Sequence, residues 1–478
     1  MSAKIKAYVS RYVVPFYYDT ESEGFNRIIR FFDNNGARSD SLALPKDGLW
    51  VRAGFWENYK SDNPACAEMD LYSYLPSIYQ NDEAHPEEDI CSIGASYVYR
   101  TNGNLFEAEY RHNDTKIVFR CTDLGVLVFK DGTGFIWYEI DSGKGLDIDE
   151  YVDFQHDFKE LARTHSTLFA RKTGYDKENR QPTYETFCIG KWLFDLLSVR
   201  ETGIRFWAER VSTSGTGTYN YPDKSLLFNY VYTEPIENET RDGYIFNIAN
   251  GYDMLYSPPK DINDAIYKPF GNVNFYLTKA GMSCMISSED TNEAFFTGQF
   301  REKYIRDYFF IYILLLYQSF SCAYYSRLLT DLPAEENMFE KNRRYRGLLE
   351  SLNERINLFL VKSVFESVSN IHHQNDFYRY GKKVLCINED IQSLTIGLDA
   401  LKEIEGDKRE RKVNNALAVF GFMVVISALV DGVVFVDWLT ERIRPELAGY
   451  VNFGHVSIVL LVLVLALYLV IVLFKGKE

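Results

Sequence analysis

The stretch SALVDGVVFVDW, Ser427 to Trp438, sets one carboxylate, Asp431, inside an otherwise apolar run and a second, Asp437, at its end. An ionised carboxylate among lipid tails costs several kcal/mol or takes up a proton, so by default it faces water or a polar partner. Steps of three and four back from Asp431 reach Ser427, Val424, Gly421 and Leu417, with Asn414 at the inner end. One helical face therefore collects most of the small and polar residues of the run. If several copies gather with that face inward, Asp431 forms an acidic ring that draws cations. The competing reading wets Asp431 at the outer interface or keeps it protonated between helices. Asp437, beside Trp438, is equally well explained as a solvated interfacial residue.

Two apolar segments must position these groups. Asn415 to Val436 and Val456 to Phe474 are each long enough to cross the hydrocarbon core. Pro445, Gly449 and Gly454 break the loop between them, which also carries Trp438 and Tyr450. GDKRERKVN precedes the first span and KGKE follows the second, so both basic flanks belong inside. The expectation is a multi-pass protein of the inner (cell) membrane with cytoplasmic N- and C-termini. The N-terminal MSAKIKAYVSRYVVPFYYD has neither an apolar core nor a cleavage site, so no secretory leader is expected. A third apolar stretch, Tyr308 to Tyr325, carries Gln318, Ser319, Ser321 and scattered tyrosines. It reads as a buried helix of the soluble part.

The rest of the chain is soluble in character: mean hydropathy is slightly negative, and aromatic residues at 16% supply a large core. A net charge of -15 argues against DNA or RNA as a partner. The seven cysteines are odd in number and widely spaced, which suits reduced thiols. Strands are expected in Gly48–Trp56, Ser96–Arg100, Thr115–Arg120, Ser225–Tyr232 and Asn272–Leu277, with a hairpin turning at Asp131–Gly134. Helical spacing in Asp147–Arg163 and Thr183–Arg200 makes the region α/β or α+β. After Phe300 the pattern is helical, broken at Pro333. Ile387, Ile391, Leu394, Leu398 and Leu401 make a heptad seam that wants a partner helix and runs without proline toward the first span. The expected parts are a cytosolic α/β domain (1–300), a long-helix stalk (301–412) and a transmembrane hairpin (413–478).

Among other chemistry-bearing residues, Lys341, Arg343, Arg344 and Arg346 form a basic cluster that suits a phosphate-bearing ligand, or a solvated helix face pairing with the acidic residues upstream. His372 and His373 with Asp376 have metal-ligand types, yet adjacent histidines point to different sides of a helix. No nucleophile elbow, zinc-protease motif or phosphate loop occurs, so no enzyme is expected.

The order of parts over Arg301 to Glu478 resembles the CorA-like membrane channel superfamily. That family carries Gly-Met-Asn at the outer end of its first span; here Phe435, Val436 and Asp437 stand in register, so the signature is absent. Phe and Val supply no oxygen for a hydrated divalent cation, which puts plain magnesium transport in doubt. Divergent relatives of this kind occur as effectors associated with type III CRISPR systems. The resemblance implies a homopentamer in the lipid bilayer whose soluble part binds a signalling nucleotide of the S-adenosylmethionine-AMP type and permeabilises the membrane in antiviral defence. It also implies divalent cations on the acidic stalk residues Glu389, Asp390, Asp399, Glu403, Glu405 and Asp407, which otherwise simply solvate a helix. The alternatives are a divalent-cation transporter and a membrane-anchored nucleotide sensor without transport.

Overall fold

The computed structural model describes residues 3–20, 23–34, 49–52, 70–72, 94–100, 105–112, 115–142, 145–161, 169–175, 182–214, 217–288, 292–332 and 343–403, together with 414, 417, 420 and 421. The chain divides into two compact units, Met1–Leu394 and Thr395–Glu478. The first is a mixed α/β unit, and the helices from Phe309 to Val384 pack in it together with the sheet.

Fifteen strands occur among the described residues: β1 (Ile5–Tyr17), β2 (Leu49–Arg52), β3 (Gly94–Arg100), β4 (Glu107–His112), β5 (Thr115–Phe129), β6 (Thr133–Asp141), β7 (Phe169–Tyr175), β8 (Pro182–Thr186), β9 (Arg205–Phe206), β10 (Glu209–Ser214), β11 (Gly217–Pro222), β12 (Leu226–Thr233), β13 (Tyr267–Phe270), β14 (Val273–Leu277) and β15 (Gly281–Ser287). Thirteen of them form one sheet, ordered β13-β14-β15-β12-β1-β6-β5-β4-β7-β8, with β2 and β3 added beside β5 and β9 beside β1. β10 and β11 form a separate ribbon. β12 and β15 are parallel, and the other pairs are antiparallel. The expected hairpin is present: β5 turns into β6 through Asp131 and Gly132, whose φ of 106° only glycine adopts without strain.

Alternation along β1 and β6 divides the core in two. Tyr12, Val14, Tyr138 and Ile140 belong to the apolar cluster around the helix Ile148–Phe158, where the Tyr12 ring lies 4.6 Å from Phe158. That helix starts at Asp147, whose N–H donates to Glu150 Oε2 at 3.4 Å. The opposite face carries Arg11, Phe135 and Trp137 and receives a central helix, Phe309–Thr330. Phe309 meets Trp137 and Phe228, and Tyr317 stacks on Phe129 at 4.0 Å.

Every residue from Phe309 to Gln318 is buried, as a helix apolar on all sides requires. Its far side is covered by the helices Arg343–Ser363 and His372–Val384, through Phe359 against Tyr317 and Tyr325 and through Gly381 against Leu315. Gln318 Nε2 donates to Ser363 O at 2.7 Å and to Tyr378 Oη at 2.8 Å, so this polar interruption of the run has its partners inside the protein. Among the described residues one helical stretch, Glu293–Thr330, is long and apolar enough to cross a membrane, and 78% of its most apolar window is buried within the protein. The expected spans 415–436 and 456–474 lie outside the described residues except at 417, 420 and 421.

Candidate functional site

An open cleft of about 640 Å³ forms where the β14 end of the sheet meets the helix His372–Val384. Tyr276, Leu277 and Thr278 supply one wall, and Tyr380, Lys383 and Val384 of the last helical turns supply another. Asn250, at the end of the helix Asn238–Asn250, and Asp261, Asp264 and Ala265 close the third side.

Most polar groups of these walls are already committed. Tyr380 Oη donates to Ala265 O at 2.8 Å and accepts the Leu277 N–H at 3.1 Å, which joins all three walls through one hydroxyl. Its ring stacks on Tyr267 at 5.7 Å, and burial pushes its phenol up to about 12. Burial also raises the Tyr276 phenol, while a hydrogen bond with Asn250 holds the rise down. Asn250 Nδ2 donates to Phe246 O at 2.9 Å, and Thr278 Oγ1 accepts the Ala280 N–H at 3.1 Å. The side chains of Asp261, Asp264 and Lys383 are exposed and make no hydrogen bond or ion pair among the described residues. The cleft thus presents aromatic rings, two carboxylates and one ammonium group.

A second polar constellation lies at the start of the central helix. Residues Tyr304–Tyr308 form a π-helical turn, a rare geometry. Arg306 Nε donates to Asp307 Oδ1 at 2.7 Å, both side chains being buried. Burial raises the Asp307 carboxyl, and Arg306 opposes the rise. Lys303 pairs with Asp70 at 2.5 Å. Tyr308 Oη lies 2.8 Å from His373 Nδ1, and burial depresses that imidazole. His372 instead reaches Asp376 Oδ2 at 3.2 Å. The two imidazoles therefore diverge, and no group of three metal-ligating side chains occurs among the described residues.

Arg343, Arg344 and Arg346 fall in the first turn of the helix Arg343–Ser363, while Lys341 lies outside the described residues. Asn414, Leu417 and Gly421 are helical and exposed, with Leu417 61% accessible. Val424, Ser427, Asp431 and Asp437 lie outside the described residues, as do Glu405 and Asp407. On the seam, Ile387, Leu394 and Leu398 are buried in a single copy of the chain, so their burial needs no second copy. Asp390 carries a carboxyl raised by partial burial and lowered by Lys279. Cys121, Cys188, Cys284, Cys322 and Cys386 are free thiols, as their spacing suggests.

No family model, no curated protein and no solved structure matches this chain. The site is therefore defined by its geometry alone. Sequence reasoning missed the cleft because its residues spread from Asn250 to Val384 over four elements; the only local signal was the proline- and acid-containing SPPKDINDA that holds Asp261 and Asp264.

Proposed function

We propose that the chain is an oligomeric membrane channel, switched by a small nucleotide that binds its soluble unit. The observation that carries the reading is Asp431, set within the first of two apolar segments of spanning length. Acyl chains cannot solvate a carboxylate, whereas an aqueous conduit shared between copies can. At about 100° per residue, the helical Asn414, Leu417 and Gly421 fall within roughly 60° of arc. Leu417 and Phe420, 61% and 67% accessible, are left uncovered by their own chain, which suits contact with lipid or further copies. The absent Gly-Met-Asn triplet weighs against a magnesium transporter, and the carboxylate weighs against a mere anchor.

The test is ion flux through liposomes holding the purified full-length protein, with and without a nucleotide of the S-adenosylmethionine-AMP type. Flux should rise with the nucleotide, and Asp431→Ala should lower cation selectivity without lowering the amount of protein inserted. Flux that follows magnesium and ignores the nucleotide would make the protein a transporter. Absence of flux under every condition would leave only a tethered sensor.

A further inference from the structure

We propose that the cleft between the β14 end of the sheet and the helix His372–Val384 binds a small zwitterionic ligand with a planar aromatic ring and an amine or other cationic group. That this ligand sets the switch rests on the channel reading above; the binding itself does not.

The chemistry follows from which wall groups remain free. The Tyr380 hydroxyl is spent on Ala265 and Leu277, so this tyrosine offers a ligand its ring rather than a donor, and Tyr276 sets a second ring beside it. Thr278 and the Asn250 amide are likewise satisfied from within the protein. Recognition is left to two aromatic faces and to Asp261, Asp264 and Lys383. Two carboxylates against one ammonium leave the cleft net negative at neutral pH. A phosphate monoester alone would meet one attraction and two repulsions. A ligand whose cationic group lies toward Asp261 and Asp264 and whose single anionic group lies toward Lys383 meets three attractions, and an aromatic wall adds a cation–π contribution. Aromatic rings with a few converging charges, in a cleft of this volume, are the ordinary make-up of a small-ligand site.

The position of the cleft gives such binding a mechanical consequence. Lys383 and Val384 are the last residues of their helix. Leu385 and Cys386 follow, and Cys386 has φ of 56°, a left-handed conformation that L side chains rarely adopt. Residues 387–403 are helical again. A ligand drawn between Asp261, Asp264 and Lys383 therefore loads the turn immediately before a strained bend in the chain that leads to the second unit.

The experiment uses one ring and three charges. Adenosine, 5′-amino-5′-deoxyadenosine and adenosine 5′-monophosphate are titrated against the full-length protein in nanodiscs by ligand-observed NMR. The amino compound should bind tightest, about tenfold better than the monophosphate, as two or three partly screened charge contacts imply. Asp261→Asn with Asp264→Asn should erase its advantage over adenosine, and both positions are exposed, so unfolding should not intervene. Lys383→Met should weaken the monophosphate selectively. A tightest-binding monophosphate, equal affinity for all three, or indifference to the paired Asn substitutions overturns the proposal. Binding as expected with liposome flux that ignores the ligand would sink the channel reading and spare the site. Nucleotide-dependent flux that survives loss of binding here would sink the site and spare the channel.

Discussion

The Ser321 hydroxyl donates a 2.7 Å hydrogen bond to Asp131 Oδ2, fastening the middle of the central helix to the turn between β5 and β6. The other carboxylate oxygen accepts the N–H and hydroxyl of Thr133 at 3.0 and 2.8 Å, and the Asp131 carbonyl accepts from Arg355 Nη2 at 2.7 Å. One turn residue thus joins the hairpin, the central helix and the helix Arg343–Ser363. Asp131→Ala would leave two fully buried hydroxyls, Ser321 and Thr133, without their acceptor and should destabilise the soluble unit by about 2–4 kcal/mol. Ser321→Ala should cost about 1 kcal/mol. Urea unfolding of the two variants tests the ordering, and a neutral Asp131→Ala would refute it.

Arg11 lies buried on β1 with Nε 2.8 Å from Glu139 Oε2, its guanidinium 4.7 Å above the Phe309 ring and Nη1 2.5 Å from Ile305 O. Arg11→Ala would strand a largely buried Glu139 carboxylate and expose a gap beneath Phe309. The expected loss is about 3–5 kcal/mol. Arg11→Met combined with Glu139→Leu removes that pair while keeping the volume and should recover part of the loss, because the Asp123 carboxylate, 3.8 Å from Nη2, loses that cation in both variants. Thermal unfolding of the single and double variants measures the coupling.

The same Arg11 explains what the sequence hid. β1 is the centre of the sheet, between β12 and β6, yet Lys6, Arg11 and Pro15 make its sequence an unpromising central strand. Its charge is met by Glu139 and Phe309, far away in sequence. Pro15 is in register with Phe135 of β6, while its other edge lies past the end of β12 pairing at Val13 and accepts the Trp207 N–H at 3.5 Å. The turn at Asp131–Gly134 was legible because turn chemistry is local, and so was the helical character after Phe300, where spacing alone carries the signal. The buried helix at Tyr308–Tyr325 was legible from Gln318 and Ser321, whose partners Ser363, Tyr378 and Asp131 now account for them. The cleft was not, because the parallel crossover from β12 to β15 and the packing of Gly381 on Leu315 bring its walls together, and neither leaves a local pattern.

His373 should make stability depend on pH. Burial holds its folded-state pKa below the unfolded value, with Lys303 and His372 acting in the same sense and Asp70 and Asp376 against it. The unfolded chain therefore binds the proton more readily, so stability is complete above about pH 6.5 and declines as pH falls below it. The melting temperature of wild type should fall between about pH 6.5 and 5 more steeply than that of His373→Gln. Parallel curves would assign the decline to other groups.

Gly381 sets how closely the helix carrying Tyr380 and Lys383 approaches the core. A Cβ built there would lie 2.2 Å from Leu315 Cδ1, and Leu315 is wholly buried. In an exposed helix Gly→Ala gains about 1 kcal/mol, but overpacking costs about 1–3 kcal/mol, so crowding should win. Gly381→Ala is expected to lower the melting temperature and to weaken 5′-amino-5′-deoxyadenosine binding together, because the helix must shift outward. Leu315→Ala alone should cost about 2–5 kcal/mol through its cavity. The added methyl partly fills that cavity, so the double variant should be more stable than the sum of the single effects and should regain ligand affinity. Additive losses, or affinity untouched by Gly381→Ala, would mean that the helix keeps its place and that Leu315 absorbs the methyl by rotating.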